Sequence, residues 1–293
     1  MKNILLGTDW WSDCDDAVAL RLITRGIKAG NVRLLGVGIN ACMEHSVASL
    51  VGFLRADGIE GVPVGIDFDG TDFLGSGPYQ KRLALDYAPD VNNSQAEDAV
   101  HLYRRVLTEA TEKVEILEVG FLQVIANVLK SLGDDISPMS GLDLVRQKVS
   151  KVWCMAGKWD EDGGFEHNFC NNLRSAVAAK DFCELCPVPV TFLGWEVGNN
   201  VISGGELNEN DHLHRVLVDH GSPMGRHSWD PMLVQMALIG DEEKAGYQTV
   251  LGTASVEADT GANHFLVDGK GNHKFVVKVH ENDYYATQIN QAI

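Results

Sequence analysis

The chain has 293 residues, 45% of them hydrophobic and 22% charged, an ordinary globular composition whose length suits one large α/β domain or two small ones. Its formal net charge of −17 repels phosphate backbones and argues against a nucleic-acid partner. No apolar run is long enough to span a bilayer, the first acidic residue arrives too early for a secretory leader, and six cysteines are too few for a disulfide scaffold, so a cytoplasmic protein is expected.

In chain order, the apolar run Asn3–Gly7 predicts a strand and the amphipathic run Asp16–Ala29 a helix. Strand Val32–Ile39, helix Glu44–Ala56 and strand Val62–Ile66 follow. Asp67–Asn93 is rich in Gly, Asp and Pro and reads as a long loop. Then come helix Ala96–Glu112, strand Val114–Val119, helix Val124–Leu132 and strand Val152–Met155. Lys158–Asn172 is a second polar insertion. Helix Leu173–Phe182, strand Val188–Phe192 and helix Pro231–Ile239 complete the pattern. From Thr249 onward short strands with Gly turns are expected, with Asp268-Gly-Lys-Gly-Asn272 as a hairpin. This alternation predicts an open, mostly parallel sheet flanked by helices, Rossmann-like, in a single domain over residues 1–293. Right-handed crossovers place the loops after the strands on one side, where they converge.

The first of these loops holds four carboxylates, Asp9, Asp13, Asp15 and Asp16, within eight residues. Asp13 or Asp15 suits the N-cap of the helix that follows, which explains one or two of the four. Asp9, directly after the strand, has no such explanation. A loop this acidic repels itself, and a hard divalent cation held by oxygen is the simplest compensation. After the second strand comes Asn40, after the fourth Gly120-Phe-Leu-Gln123, and after the fifth Met155-Ala-Gly157 and then Glu166-His-Asn168. Late in the chain, Trp229-Asp230-Pro231 has the order of a helix start, with Asp at N-cap and Pro at N1. Cys183-Glu-Leu-Cys186 is a lone CxxC without a second pair at zinc spacing, and reads as packing.

Taken together and in this order, the motifs resemble the inosine–uridine-preferring nucleoside hydrolase family. Gly7-Thr-Asp9 with Asp15-Asp-Ala17 is similar to its Asp-rich N-terminal signature, in the longer spacing of a subgroup with a cysteine in this loop. The resemblance implies the nucleoside hydrolase fold and a Ca²⁺ ion held by Asp9, Asp16, Asp230 and the main-chain carbonyl of Gln123. It implies that Asp15, Asn40, Glu166 and Asn168 hydrogen-bond the ribose hydroxyls and that Asp9 is the general base. It also implies a homodimer or homotetramer acting on a small nucleoside. Two departures stand out. The signature's first Asp is Gly7 here, which loosens support of the metal ligands. The histidine that many members carry before the late Asp is Trp229 here. An indole cannot protonate a leaving base, but it can stack on a purine, with Trp10 and Trp11 as candidates for a second face. His167 and His227 are alternative acids.

The expected activity is Ca²⁺-dependent hydrolysis of ribonucleosides to ribose and base, purine nucleosides favoured. The alternatives are a hydrolase of another N-riboside and a non-catalytic ribose- or nucleoside-binding protein. An aspartate-nucleophile phosphohydrolase would want a second Asp where Trp11 stands. An EF-hand would want Glu where Leu20 stands.

Overall fold

The computed structural model describes residues 1–73, 75 and 77–293. Strand β1 (Lys2–Thr8) leads through the acidic loop into α1 (Asp15–Lys28), and β2 (Val32–Ile39), α2 (Ser46–Ala56) and β3 (Val64–Ile66) follow. The long loop Asp67–Asn93, of which residues 74 and 76 lie outside the described residues, holds a helix that its Gly and Pro content concealed, α3 (Gln80–Tyr87). Next come β4 (Glu97–Asp98), α4 (Ala99–Glu109), β5 (Val114–Glu118), α5 (Gln123–Lys130), α6 (Gly141–Lys148) and β6 (Val149–Met155). The second insertion folds one short helix, α7 (His167–Cys170), before α8 (Leu173–Leu185) and β7 (Val190–Leu193). After α9 (Trp195–Gly198) a two-stranded ribbon, β8 (Ile202–Ser203) with β9 (Arg226–His227), encloses α10 (His212–His220). The chain ends with α11 (Trp229–Ile239), β10 (Tyr247–Val256), β11 (Asn263–Leu266), β12 (His273–Lys278) and α12 (Asn282–Ala292).

The strands form one open sheet of ten in the order β11-β10-β12-β7-β6-β5-β1-β2-β3-β4. From β7 to β4 every neighbouring pair is parallel, and β10 runs antiparallel to both of its partners. The expected hairpin at Asp268–Asn272 is therefore corrected. The turn joins β11 to β12, but each pairs with β10, whose ten residues offer enough ladder for both.

Side chains of β1 alternate between two buried layers. Ile4 and Leu6 join α1 and α11 in one, and Leu5 joins α4, α5 and α8 in the other. Both faces of the sheet are thus covered, as strands this apolar require. Chain order reverses beside β1, with β2 to one side and β5 to the other. At such a switch point the loops leaving adjacent strands diverge and open a crevice. Here those are the acidic loop and the Gly120–Gln123 turn. Among the described residues no helix is long and apolar enough to cross a membrane.

Candidate active site

The three strand ends at the crevice are stitched tightly. Val119 N–H donates to the Gly7 carbonyl (2.8 Å), Asn40 N–H to the Thr8 carbonyl (2.9 Å) and Phe121 N–H to Asn40 Oδ1 (3.0 Å). Gly120 lies so close to β1 that a Cβ there would meet the Asp9 nitrogen and come within 2.9 Å of the Thr8 carbonyl carbon. Asp9 therefore leaves β1 with its main chain clamped between β2 and β5.

Beyond Asp9 the chain turns sharply. Trp10 adopts φ +46°, a left-handed conformation that bulky residues rarely take. Its N–H reaches Thr8 Oγ1 (3.0 Å), and its carbonyl accepts from Gln80 Nε2. This turn sends the Trp10 ring inward, fully buried between Phe53 and Tyr79, with its indole N–H on Ser49 Oγ (2.8 Å). Trp10 as a base-binding residue is thereby corrected: it is a core residue. Trp11 points the other way, into a small aromatic group with Phe73 and Phe121, stacked 6.2 Å from His167. Its ring does not line the cavity described below.

Helix α1 starts one residue earlier than expected, and its N-cap, Cys14, makes no side-chain capping bond. Neither Asp13 nor Asp15 is the cap. Asp15 and Asp16 form the first turn, where the helix dipole favours negative charge. Likewise α11 starts at Trp229 after Ser228, so Asp230 is not an N-cap but a first-turn residue. Pro231 is tolerated there because first-turn N–H groups lack helical partners. Helix α11 packs against α1. The Asp230 N–H donates to Asp15 Oδ2 (3.0 Å), tying the two first turns together across 215 residues of chain.

Carboxylate oxygens of Asp15, Asp16 and Asp230 lie within 4.8 Å of one another, all buried. Among the described residues none of these three, nor Asp9, is ion-paired to Lys, Arg or His. Burial pushes all three well above the ordinary carboxylate range, and their mutual repulsion pushes further. Asp9 is raised to about 7 by burial, opposed by the Trp11 N–H on its Oδ1 (3.2 Å) and reinforced by Asp15, Asp13 and Glu166. Asp13 behaves oppositely. Burial raises it, but hydrogen bonds and charge from Arg226 outweigh burial and hold it below the usual value. Arg226 Nε donates to Asp13 Oδ1 at 2.8 Å, so this one carboxylate has its own counter-ion.

A cavity of about 280 Å³ opens over this cluster, near the low end for small-molecule sites. Its lining includes Asp9, Asp13, Asp15, Asp16 and Asp230, together with Glu166, Asn168, Trp195 and Trp229. Glu166 is held rigidly. Its Oε2 accepts from Gly157 N–H and its Oε1 from Asn168 N–H, both 2.9 Å. Burial raises it to about 7. Asn168 Nδ2 donates to the Met155 carbonyl (2.9 Å). The Trp229 indole N–H is already spent on the Trp195 carbonyl (2.8 Å). Asn40 and Gln123 are buried and are not among the residues lining the cavity. Asn40 Nδ2 and both amide atoms of Gln123 have no partner among the described residues.

The residues singled out in the sequence that line this cavity, Asp9, Asp13, Asp15, Asp16, Glu166, His167, Asn168, Trp229 and Asp230, come from three separate segments. Sequence reasoning missed Trp195. The signal was Gly194-Trp195 directly after β7, at the same strand end as the other loops.

In open α/β sheets the crevice at the switch point is where ligands are usually bound, and here that crevice is lined by carboxylates. Comparison with solved structures gives the fold more narrowly. The inosine–uridine-preferring nucleoside hydrolase of Bacillus anthracis superposes with a TM-score of 0.69 at 16% identity, covering 100% of both chains. A plant nucleoside hydrolase gives 0.72 at 14% identity, over 99% of this chain and 98% of the other. The purine-preferring ribonucleoside hydrolase of Gardnerella vaginalis gives 0.71 at 16% identity, over 99% of each. No protein-family model and no curated protein sequence matches the chain. The protein has the nucleoside hydrolase fold, as the sequence resemblance implied.

Proposed function

We propose that the protein is a Ca²⁺-dependent N-ribosyl hydrolase that cleaves ribonucleosides to ribose and free base, purine nucleosides favoured. One observation carries this reading. Asp15, Asp16 and Asp230, whose oxygens converge, and Asp9 are buried, have no counter-ion among the described residues and line a cavity together with Glu166 and Asn168. The donor set consists of hard oxygens and fits a hard dication. Asp9, Asp16, Asp230 and the Gln123 carbonyl are the proposed ligands. Asp16 and Asp230 belong also to the trio whose oxygens already converge, with Asp15 as its third member. Bound there, Ca²⁺ supplies neutralisation of the carboxylates and Lewis acidity toward the ribose diol and a water.

The chain's own groups have separable tasks. Asp9 takes the proton of the water that attacks C1′. Asp15, Asn40, Glu166 and Asn168 hold the sugar hydroxyls. The surplus negative charge of the cluster suits the oxocarbenium character that develops on the sugar. Trp229 stacks on the departing base, and a purine offers it the larger face. Assembly as a homodimer or homotetramer belongs to the same reading. The glycine at position 7 and the absence of a histidine at 229 favour a second reading, a ribose-binding protein without turnover.

Base release from a panel of purine and pyrimidine nucleosides, with Ca²⁺ and with chelator, separates the two. Release that needs both metal and Asp9, and is faster for purines, is expected. Ca²⁺ and ribose binding without release of any base would establish the second reading instead.

A further inference from the structure

Glu118 is the last residue of β5, fully buried, and no step of the proposed reaction uses it. Its register partners are Gly7 on β1 and Cys154 on β6, and Gly7 in turn pairs with Gly38 on β2. The side chain of Glu118 crosses under Gly7. A Cβ at position 7 would collide with Glu118 Oε2 and lie 2.6 Å from its carboxyl carbon and 2.7 Å from the Tyr103 hydroxyl. A Cβ at Gly38 would lie 2.6 Å from the Tyr103 ring. The two glycines thus form a notch that the Glu118 carboxyl and the Tyr103 phenol fill. Tyr103 OH donates to Glu118 Oε1 (3.0 Å), while Oε2 has no partner among the described residues. A buried oxygen without a hydrogen bond is costly and calls for a reason.

The position of the notch supplies one. Two residues beyond Gly7 is Asp9. Two residues beyond Glu118 is Gly120, which packs on the Asp9 nitrogen and begins the turn to Gln123. Both strand ends that carry proposed metal ligands therefore spring from the Gly7–Glu118 pair. The acidic-loop signature places an aspartate at position 7. Here a glycine stands at that position, and the Glu118 carboxyl from the neighbouring strand occupies the space its Cβ would take.

We propose that Glu118 is a positioning residue of the metal site: its carboxyl, hydrogen-bonded to Tyr103 in the notch left by Gly7, sets the spacing of β1 and β5 and so the placement of Asp9 and the Gln123 carbonyl. The proposal rests on the metal reading given above. Glu118 is raised to about 8 by burial, so it fills the notch as a neutral acid at pH 7, and an amide of the same shape is its conservative substitute.

The test uses the full-length protein and two readouts, Ca²⁺ affinity by calorimetry and hydrogen exchange of residues 8–16 and 118–123 in chelator. Glu118→Ala is expected to weaken Ca²⁺ binding about tenfold or more, the range for groups that orient metal ligands. It is also expected to speed exchange in both segments. Glu118→Gln is expected to behave nearly as the parent in both. Gly7→Asp combined with Glu118→Ala, which supplies the carboxyl from β1, is expected to recover most of the affinity. Unchanged affinity and exchange in Glu118→Ala would overturn the proposal, as would a paired variant no better than Glu118→Ala alone. A parent protein that binds no Ca²⁺ would instead sink the metal reading, and the exchange result would still decide whether Glu118 holds the two strand ends.

Discussion

Replacing Asp9 by Asn is expected to stabilise the metal-free protein while abolishing base release. Asp9 is raised from 3.8 to about 7, first by burial and then by the surrounding carboxylates. A carboxyl whose folded pKa lies above its unfolded value binds its proton more tightly in the native state. Its contribution to stability is therefore full below the unfolded value of 3.8 and is lost as pH rises to about 7. A shift of roughly three units at about 1.4 kcal/mol each gives a loss on the order of 4 kcal/mol by pH 8. Asn keeps the acceptor that Trp11 N–H uses and carries no charge at any pH. In chelator at pH 8, Asp9→Asn should melt above the parent by about 8 °C, taking ~2 °C per kcal/mol for a chain of this size. Near pH 4 the two should nearly coincide. Saturating Ca²⁺ at pH 8 should raise the parent more than the variant, because the ion binds only the folded cluster and Asp9 is one of its proposed ligands. Scanning calorimetry with and without chelator, at both pH values, measures all of this. A variant that melts at or below the parent in chelator at pH 8 would refute the electrostatic reasoning and remove the main argument for a cation.

Three further outcomes are expected. Asp9→Asn and Asp15→Asn, compared by Ca²⁺ titration, should separate ligand from ribose contact: the first should lose about tenfold or more in affinity for Ca²⁺, and the second should lose ribose affinity instead. Trp10→Ala should cost about 3–5 kcal/mol in denaturant unfolding, as for a large buried aromatic, without altering base preference. Trp229→Ala should instead lower kcat/KM for purine nucleosides about tenfold with little change in melting, since stacking on the base is its proposed work. Arg226→Ala should strip Asp13 of its counter-ion and cost about 1–3 kcal/mol at pH 7. Asp13 is held below its ordinary value of 3.8 by Arg226, so its stabilisation is present above that value and lost as pH falls below it; the melting difference should therefore persist at pH 4 and shrink only on further acidification.

Much of this molecule was legible because its signals are short-range. Alternating apolar runs and amphipathic stretches reveal β1 to β3, β5 to β7 and most of the helices between them, since each pattern reports on neighbours a few residues away. The helices α3, α6, α7, α9, α10 and α12 were not anticipated, because they are short, or polar, or lie beside Gly- and Pro-rich loops that mask the pattern. The acidic loop announced itself because four like charges in eight residues need an outside explanation. Glu166, Asn168 and Asp230 could be placed because each follows a strand or opens a helix, at ends that parallel topology must gather on one side.

Direction and partnership were decided only by the tertiary structure. Trp10 and Trp11 are adjacent and chemically alike, yet the positive φ at Trp10 sends one ring into the core and the other toward Phe121. That turn is held by the neighbouring Thr8 and by Gln80, 70 residues further on, which no local pattern links to position 10. Trp195 reaches the cavity through the packing of α9 against α11. Gly7 reads in sequence as a missing carboxylate, and strand register alone brings Glu118 beneath it. Composition and spacing thus determine which residue types the chain can bring to its strand ends. Which of them face the cavity, and which carboxyl answers which glycine, depends on contacts between residues distant in sequence, whose energies no local pattern encodes.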